Sequence, residues 1–229
     1  MNIECISELM SFSRDHKLTH VPSALSMLTY IDTIFTNKLI VPYRDRIVIG
    51  KPFGSQAYYL IWRRLGYIDD IESLSVGVKH SEIDFVDYGE ETMGNALGVA
   101  TGIAIANPDQ TVWVNITDAT LQMGSTLEAI QYIGHNNIKN IIMTVDNNDC
   151  QVTGRTSSVL STTPVIDFIY NNRWDVTECP GHEPQVILDM YPTTTLNPQA
   201  IIYNTTKGYG VSYMEQDPIT WHYKPIERL

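Results

Sequence analysis

The chain has 229 residues, 43% hydrophobic and 18% charged, and a net charge of −11, which suits one α/β domain with a full core. The acidic balance argues against nucleic acid or an anionic membrane surface as partner, since both need a basic face. No apolar run reaches the length of a membrane span, the start MNIECISELMSFSRDHK lacks a signal-peptide core, and the cysteines Cys5, Cys150 and Cys179 show neither disulfide framework nor zinc spacing; the expected location is a reducing cytoplasm.

Residues 3–36 are predicted to form two helices, with Ile6, Leu9, Met10 and Phe12 on one apolar face and Leu25, Leu28, Ile31, Ile34 and Phe35 on the other. The turn Leu18-Thr19-His20-Val21-Pro22-Ser23 separates them. Asp45–Lys51 reads as a strand running into a glycine turn, and a helix follows through Tyr58–Ile61. Residues 78–107 read as a loop and then a helix of small residues, among them Gly94, Gly98, Ala100, Gly102 and Ala104. Beyond the centre of the chain come a polar loop at Gln151–Ser158, expected to be mobile over the site, a helix starting at Pro164, a strand at Trp174–Thr177 and a last strand at Pro198–Asn204. These elements predict a mostly parallel sheet with helices on both faces, in a single domain over residues 1–229.

The most informative stretch is Thr111–Gly154. The apolar run Val112–Ile116 reads as a buried strand and ends at Thr117-Asp118-Ala119. A helix with Leu127, Ile130 and Ile133 follows, and a second run, Ile141–Val145, delivers Asp146-Asn147-Asn148. Asp118 and Asn148 lie thirty residues apart, as the two ends of one strand–helix–strand unit would. Such ends meet at the ligand-binding edge of a parallel sheet. A carboxylate, a carboxamide and a backbone carbonyl suit Mg²⁺, which shares oxygen donors with substrate phosphates. Equally, Asp118 serves as a helix cap and Asn148 as a turn residue.

This stretch resembles the thiamine-diphosphate motif, which opens Gly-Asp-Gly and closes one such unit later in an Asn-bearing turn. Its flanks, Gly124, Glu128-Ala129, His135-Asn136 and Lys139-Asn140, are similar to transketolases in particular. The similarity runs from about Ile6 to Pro225. Thr19-His20-Val21-Pro22-Ser23-Ala24-Leu25-Ser26 stands where transketolases carry Gly-His-Pro-Gly-Gly-Ser-Leu-Ser, and DRIVIGKPFGSQAYYLIWRRLGYI resembles the segment that follows. Met93-Gly94-Asn95-Ala96-Leu97-Gly98 resembles the family's Thr-Gly-(Pro/Ser)-Leu-Gly with one extra residue, and His80 its Gly-His-Pro element, one residue out of register. Gly181-His182 resembles a structural turn; Thr206–Glu215 and Trp221-His222 resemble the closing segments.

The resemblance implies that Asp118, Asn148 and the Cys150 carbonyl hold Mg²⁺ (or Ca²⁺) and that Gly94, Ala96, Leu97, Asp118, Ala119, Asn148 and His222 contact thiamine diphosphate. His20, His222 and His80 are the implied catalytic residues. Several family residues are replaced: Thr117 and Ala119 stand for the motif glycines, Met123 for a Glu that helps join subunits, and Phe53 for a His that holds the diphosphate and shuttles protons, which phenylalanine cannot do. In transketolases the Glu that activates the cofactor lies in a following, pyrimidine-binding domain, which would begin where this chain ends at Leu229. The expectation is therefore one half of a split enzyme, α2β2 with a pyrimidine-binding subunit, inactive alone, moving a two-carbon ketol unit between sugars. Three alternatives stand beside it: one half of an enzyme for 2-oxo acids, a non-catalytic partner chain, and an α/β domain for another phosphate ligand, for which no Walker or dinucleotide glycine loop is present.

Overall fold

The computed structural model describes residues 3–69, 83–192 and 196–226. In chain order come α1 (Ile3–Asp15), α2 (Val21–Thr36), β1 (Arg46–Ile49), α3 (Gln56–Arg64), β2 (Val86–Gly89), α4 (Ala96–Ala106) and β3 (Val112–Thr117). A 3₁₀ turn (Asp118–Gln122) leads to α5 (Gly124–His135) and β4 (Ile141–Asn147). Then follow α6 (Thr156–Val159), α7 (Thr163–Asn171), β5 (Asp175–Pro180), α8 (Pro184–Met190), β6 (Gln199–Asn204) and α9 (Ser212–Gln216). The six strands form one parallel sheet in the order β2-β1-β3-β4-β6-β5. The expected α/β architecture is observed.

The sheet is buried on both faces. On one side α1, α2, α3 and α8 pack around Trp62, Trp113 and Tyr203; on the other α4, α5 and α7 pack around Val114, Ile116 and Trp174. Strand β3 shows why its sequence is apolar throughout: Val112, Val114 and Ile116 face the second layer and Trp113 the first. Asn115 is the exception, and its buried amide is fully occupied. Its oxygen accepts from Tyr30 Oη (3.2 Å) and Thr144 Oγ1 (2.9 Å), and its nitrogen donates to Tyr58 Oη.

Chain order reverses between β1, whose successor β2 lies to one side, and β3, which lies to the other. That switch point, with the aligned ends of β4 and β6, is where a parallel sheet opens a crevice. Register pairs Thr117 with Asp146 and Asn147 with Asn204, so the loops starting at Asp118, Asn148 and Thr205 share one edge.

Three features depart from the sequence reading. Strand β2 lies in the segment read as a loop; its VDYG has no apolar period, and it holds β1 partly through the Asp87 carboxylate, which accepts from Ile47 N (2.9 Å) and pairs with Arg46. The 3₁₀ turn delays α5 to Gly124. The loop at Gln151–Ser158 is tethered: Gln151 bridges Gly154, Asp149 Oδ1 accepts from Ser157 N (2.8 Å), and Gln122 Nε2 donates to the Thr156 and Leu160 carbonyls.

Candidate active site

A cavity of about 290 Å³ opens at the strand ends, lined by His20, Lys51, Phe53, Asn148, Lys207 and His222 among others. A larger depression of about 500 Å³, between α5 and the turn after α7, is lined by exposed side chains such as Tyr132 and His135 and holds no buried charge. The chemistry is in the first. Gly54, at φ 93°, lets the loop after β1 press on the start of α2; a Cβ there would meet Ala24 N at 2.7 Å.

The floor is organised by Asp146, the second-last residue of β4 and fully buried. Its Oδ2 accepts from Asn148 Nδ2 (2.9 Å) and pairs with the Lys51 ammonium; its Oδ1 accepts from Ser26 Oγ (2.8 Å) and Thr205 Oγ1. Burial opposes this charge, yet the Lys51 ammonium and these hydrogen bonds hold the carboxyl below its ordinary value. Helix α2 and the loops after β1, β4 and β6 are thus tied to one carboxylate. The same bonds turn the Asn148 amide: Nδ2 points to Asp146 and Ser26, leaving Oδ1 to accept from Cys150 N (2.9 Å) with a lone pair to spare.

Two groups on this floor lack what their chemistry requires. The Lys207 ammonium is 3% exposed, and among the described residues no carboxylate lies within 4.0 Å of it. It donates to the Cys150 carbonyl (3.2 Å) and contacts His222 Nδ1 (2.8 Å). Burial, and then the charge of Lys51, bring its pKa down to about 8. Asp118 is fully buried; its Oδ1 accepts from Ala119 N (2.7 Å) and Thr117 Oγ1 (2.9 Å), while Oδ2 has no partner. The Thr156 hydroxyl approaches Asp118 without reaching hydrogen-bond geometry and is itself unpartnered. Burial, and then repulsion from Asp146, raise the Asp118 pKa. An orphaned carboxylate oxygen asks for a cation, and an unpaired buried ammonium asks for an anion. A divalent ion carrying an anionic ligand satisfies both.

The residues present fit such a pair. Asp118 Oδ2, Asn148 Oδ1 and the Cys150 carbonyl are oxygen donors of the kind Mg²⁺ takes. Among the described residues no group of three His, Cys, Asp or Glu side chains is set to hold an ion alone.

One wall is aromatic. His20 stands at φ 60° just before α2, its ring stacked on Phe53 (centroids 4.7 Å) and edge-on to His222 (5.1 Å) and Tyr223 (4.7 Å). Its Nδ1 lies 2.8 Å from Thr19 Oγ1. Burial, then the Lys207 and Lys51 charges, lower its pKa to about 4. Burial, with Lys207, His20 and Lys51 behind it, lowers that of His222 to about 3. Both rings are neutral near pH 7.

The structure therefore brings His20, His222, Ala119, Asn148 and Cys150 onto one cavity, with Asp118 buried beside Ala119. The Ala119 N–H, whose implied role is contact with the cofactor, donates to Asp118. Gly94, Ala96 and Leu97 lie off the cavity wall; Ala96 and Leu97 belong to the core, and the Gly94 carbonyl accepts from Ser125 Oγ (2.7 Å). The preceding Glu91, Thr92 and Met93 line the cavity instead. This turn is set by Glu90, whose buried carboxylate accepts from the N–H groups of Asn95 and Ala96 at the head of α4. His80 lies outside the described residues. His182 is away from the cavity, stacked on Tyr209 at 3.6 Å, and its Nε2 accepts from Thr206 N (2.7 Å), a structural arrangement.

Sequence reasoning missed Lys51, Asp146 and Lys207 as site residues. The available signal was position: each lies within a few residues of a strand's C-terminal end.

A model of the thiamine pyrophosphate enzyme C-terminal TPP binding domain matches residues 77–174. One of the subunits of apulose-4-phosphate transketolase from Actinobacillus succinogenes is 30% identical over 207 residues, covering 81% of this chain and 72% of that protein. The protein of the same name from Phocaeicola vulgatus is 27% identical, covering 90% and 81%. Human transketolase is 26% identical over 205 residues, of which this chain spans 32%. The crystal structure of transketolase from Campylobacter jejuni shares the fold, with a TM-score of 0.69 and 20% identity over 98% of this chain and 41% of that one.

Proposed function

The chain belongs to the transketolase family of thiamine-diphosphate enzymes, and on that premise we infer that it is the diphosphate- and metal-binding subunit of a two-chain enzyme that transfers a two-carbon ketol unit between sugars. The observation that carries this reading is the pair of unmet charges, Lys207 lining the cavity and Asp118 Oδ2 buried beside the lining residue Ala119. Thiamine diphosphate, when bound, supplies the electron sink that lets a bond beside the donor's carbonyl carbon break.

This chain's residues hold and surround that group. Asp118, Asn148 and the Cys150 carbonyl would take the metal, Lys207 and Lys51 would face the diphosphate, and Glu91–Met93 would meet its rings. His20 and His222, neutral and at the cavity wall, would bind the donor's hydroxyls, and His20 would assist proton movement. The relatives from Actinobacillus and Phocaeicola are each named as one subunit of an apulose-4-phosphate transketolase; that naming supports a partner subunit here and a ketose phosphate as donor. The partner would be of pyrimidine-binding type, supply the activating Glu, and assemble with this chain as α2β2.

Calorimetric titration of thiamine diphosphate with Mg²⁺ into the purified chain tests the reading. Saturable binding that is lost in Lys207→Met is expected; absence of binding, alone and with the partner, would refute it. Phe53 favours a second reading, 2-oxo-acid donors, because its ring offers no hydrogen bond to a polyhydroxylated substrate. Turnover of pyruvate but not of ketose phosphates by the complex would select that reading.

A further inference from the structure

Lys207 connects the metal side of the cavity to its histidine wall. Its ammonium donates to the Cys150 carbonyl (3.2 Å) and lies 2.8 Å from His222 Nδ1. An ammonium carries three donors and no acceptor. Nδ1 must therefore accept, and the single ring proton of a neutral imidazole must sit on Nε2. Burial and the neighbouring Lys207, His20 and Lys51 keep the ring neutral, in keeping with this. The ring lines the cavity, and Nε2 receives no hydrogen bond from the described residues.

We propose that Lys207 is a positioning residue that fixes His222 as the Nε2–H tautomer, so that His222 offers the cavity a hydrogen-bond donor for a phosphate or hydroxyl oxygen. The lone pair that could take a proton is turned away from the ligand, onto Lys207. His222 then cannot serve as a base toward a substrate hydroxyl through Nε2. His20 differs: its Nδ1 faces the Thr19 hydroxyl, which donates or accepts equally well. Neither tautomer is imposed there, and proton exchange falls to His20. The identity of the oxygen ligand rests on the function proposed above; the tautomer does not.

The test is a two-bond ¹H–¹⁵N correlation spectrum of the full chain labelled at histidine, near pH 7, with His222 assigned by loss of its signals in His222→Gln. A protonated Nε2 and an unprotonated Nδ1 are expected. The Nδ1 resonance should shift in Lys207→Met, which removes the donor, and should keep its wild-type pattern in Lys207→Arg. A proton on Nδ1, or a His222 spectrum unchanged by Lys207→Met, would overturn the proposal; if Lys207→Met does not fold, the wild-type tautomer decides. Magnesium pyrophosphate separates the two ideas. Binding that moves the Nε2–H resonance supports the donor role, and binding that leaves it unmoved overturns that role. Failure of magnesium pyrophosphate to bind would count against the diphosphate reading and leave the tautomer assignment standing on the ligand-free spectrum.

Discussion

The floor and the mouth of the cavity are made of opposite materials. On the floor, Lys51, Asp118, Asp146, Asn148 and Lys207 are all buried to within a few per cent. At the mouth, Phe53, Val152 and Tyr223 are 41%, 50% and 56% exposed, and Val159 and Leu160 stand out on the tethered loop nearby. The floor settles most of its charge internally, through Asp146, and leaves two complementary groups unmet. The mouth leaves apolar surface to water, which a chain working alone gains nothing by doing. The contrast is what the function proposed above would require of a half-site: a floor fitted to a small charged ligand and a mouth fitted to a second surface.

The largest effect should come from breaking the floor's own ion pair. Asp146→Ala strands the Lys51 ammonium and frees the Asn148 amide, and about 3–5 kcal/mol of stability should be lost in urea unfolding. The double change Lys51→Met with Asp146→Leu should recover much of that, because neither member of this pair is then left buried without the other. If the single change costs under about 1 kcal/mol, the floor is not the organised element described here.

Acid should attack the same region next. His20 and His222 have folded pKa values of about 4 and 3, below the ordinary 6.5. Between the ordinary and the folded values the unfolded chain binds protons that the folded chain refuses. Their contribution to stability is therefore complete above pH 6.5 and is lost as pH falls through about 4 for His20 and about 3 for His222, on the order of 2 kcal/mol for each once solvent screening is allowed for. His20→Gln with His222→Gln should flatten the stability profile across that window. An unchanged slope would mean that the burial of the two rings and the nearby Lys51 and Lys207 do not govern their protonation.

Asp118→Asn sharpens the contrast between stability and ligand binding. Removing an orphaned buried charge should leave the free chain as stable as before or raise it by about 1 kcal/mol. Mn²⁺ affinity in the presence of thiamine diphosphate should fall by at least ~10-fold, read by electron paramagnetic resonance. Equal affinity would remove Asp118 from the metal site. The smallest effect on folding belongs to the mouth: Val152→Ser and Tyr223→Ser should change unfolding free energy by less than about 0.5 kcal/mol. Their cost should appear only in association with the partner, as a weaker complex by analytical ultracentrifugation.

Much of this was legible before the fold. Val112–Ile116 and Ile141–Val145 read as buried strands because a sheet covered on both faces tolerates no alternation, and Asp118 and Asn148 followed as their end residues. Lys51 and Lys207 were not legible as site residues. A lone lysine after a strand reads as solvated, and the burial of these two is decided by Ser23 and Asp146 for Lys51 and by His222 for Lys207, all distant in sequence. Asp146 was hidden for the same reason: its partners come from helix α2 (Ser26) and from the three loops after β1, β4 and β6 (Lys51, Asn148 and Thr205). Of the segment before α4, the resemblance points to Gly94, Ala96 and Leu97, whereas Glu91–Met93 line the cavity; the Glu90 carboxylate that fixes where the helix begins is a contact across the turn and leaves no periodic trace.

The central claim, that this cavity is half of a thiamine-diphosphate site completed by a second chain, is tested most directly by native mass spectrometry of the chain purified with whatever accompanies it. The account predicts a complex with a second subunit, carrying the added masses of thiamine diphosphate and Mg²⁺. A complex that stays free of both after incubation with them, or a chain that binds neither cofactor nor partner, would contradict it.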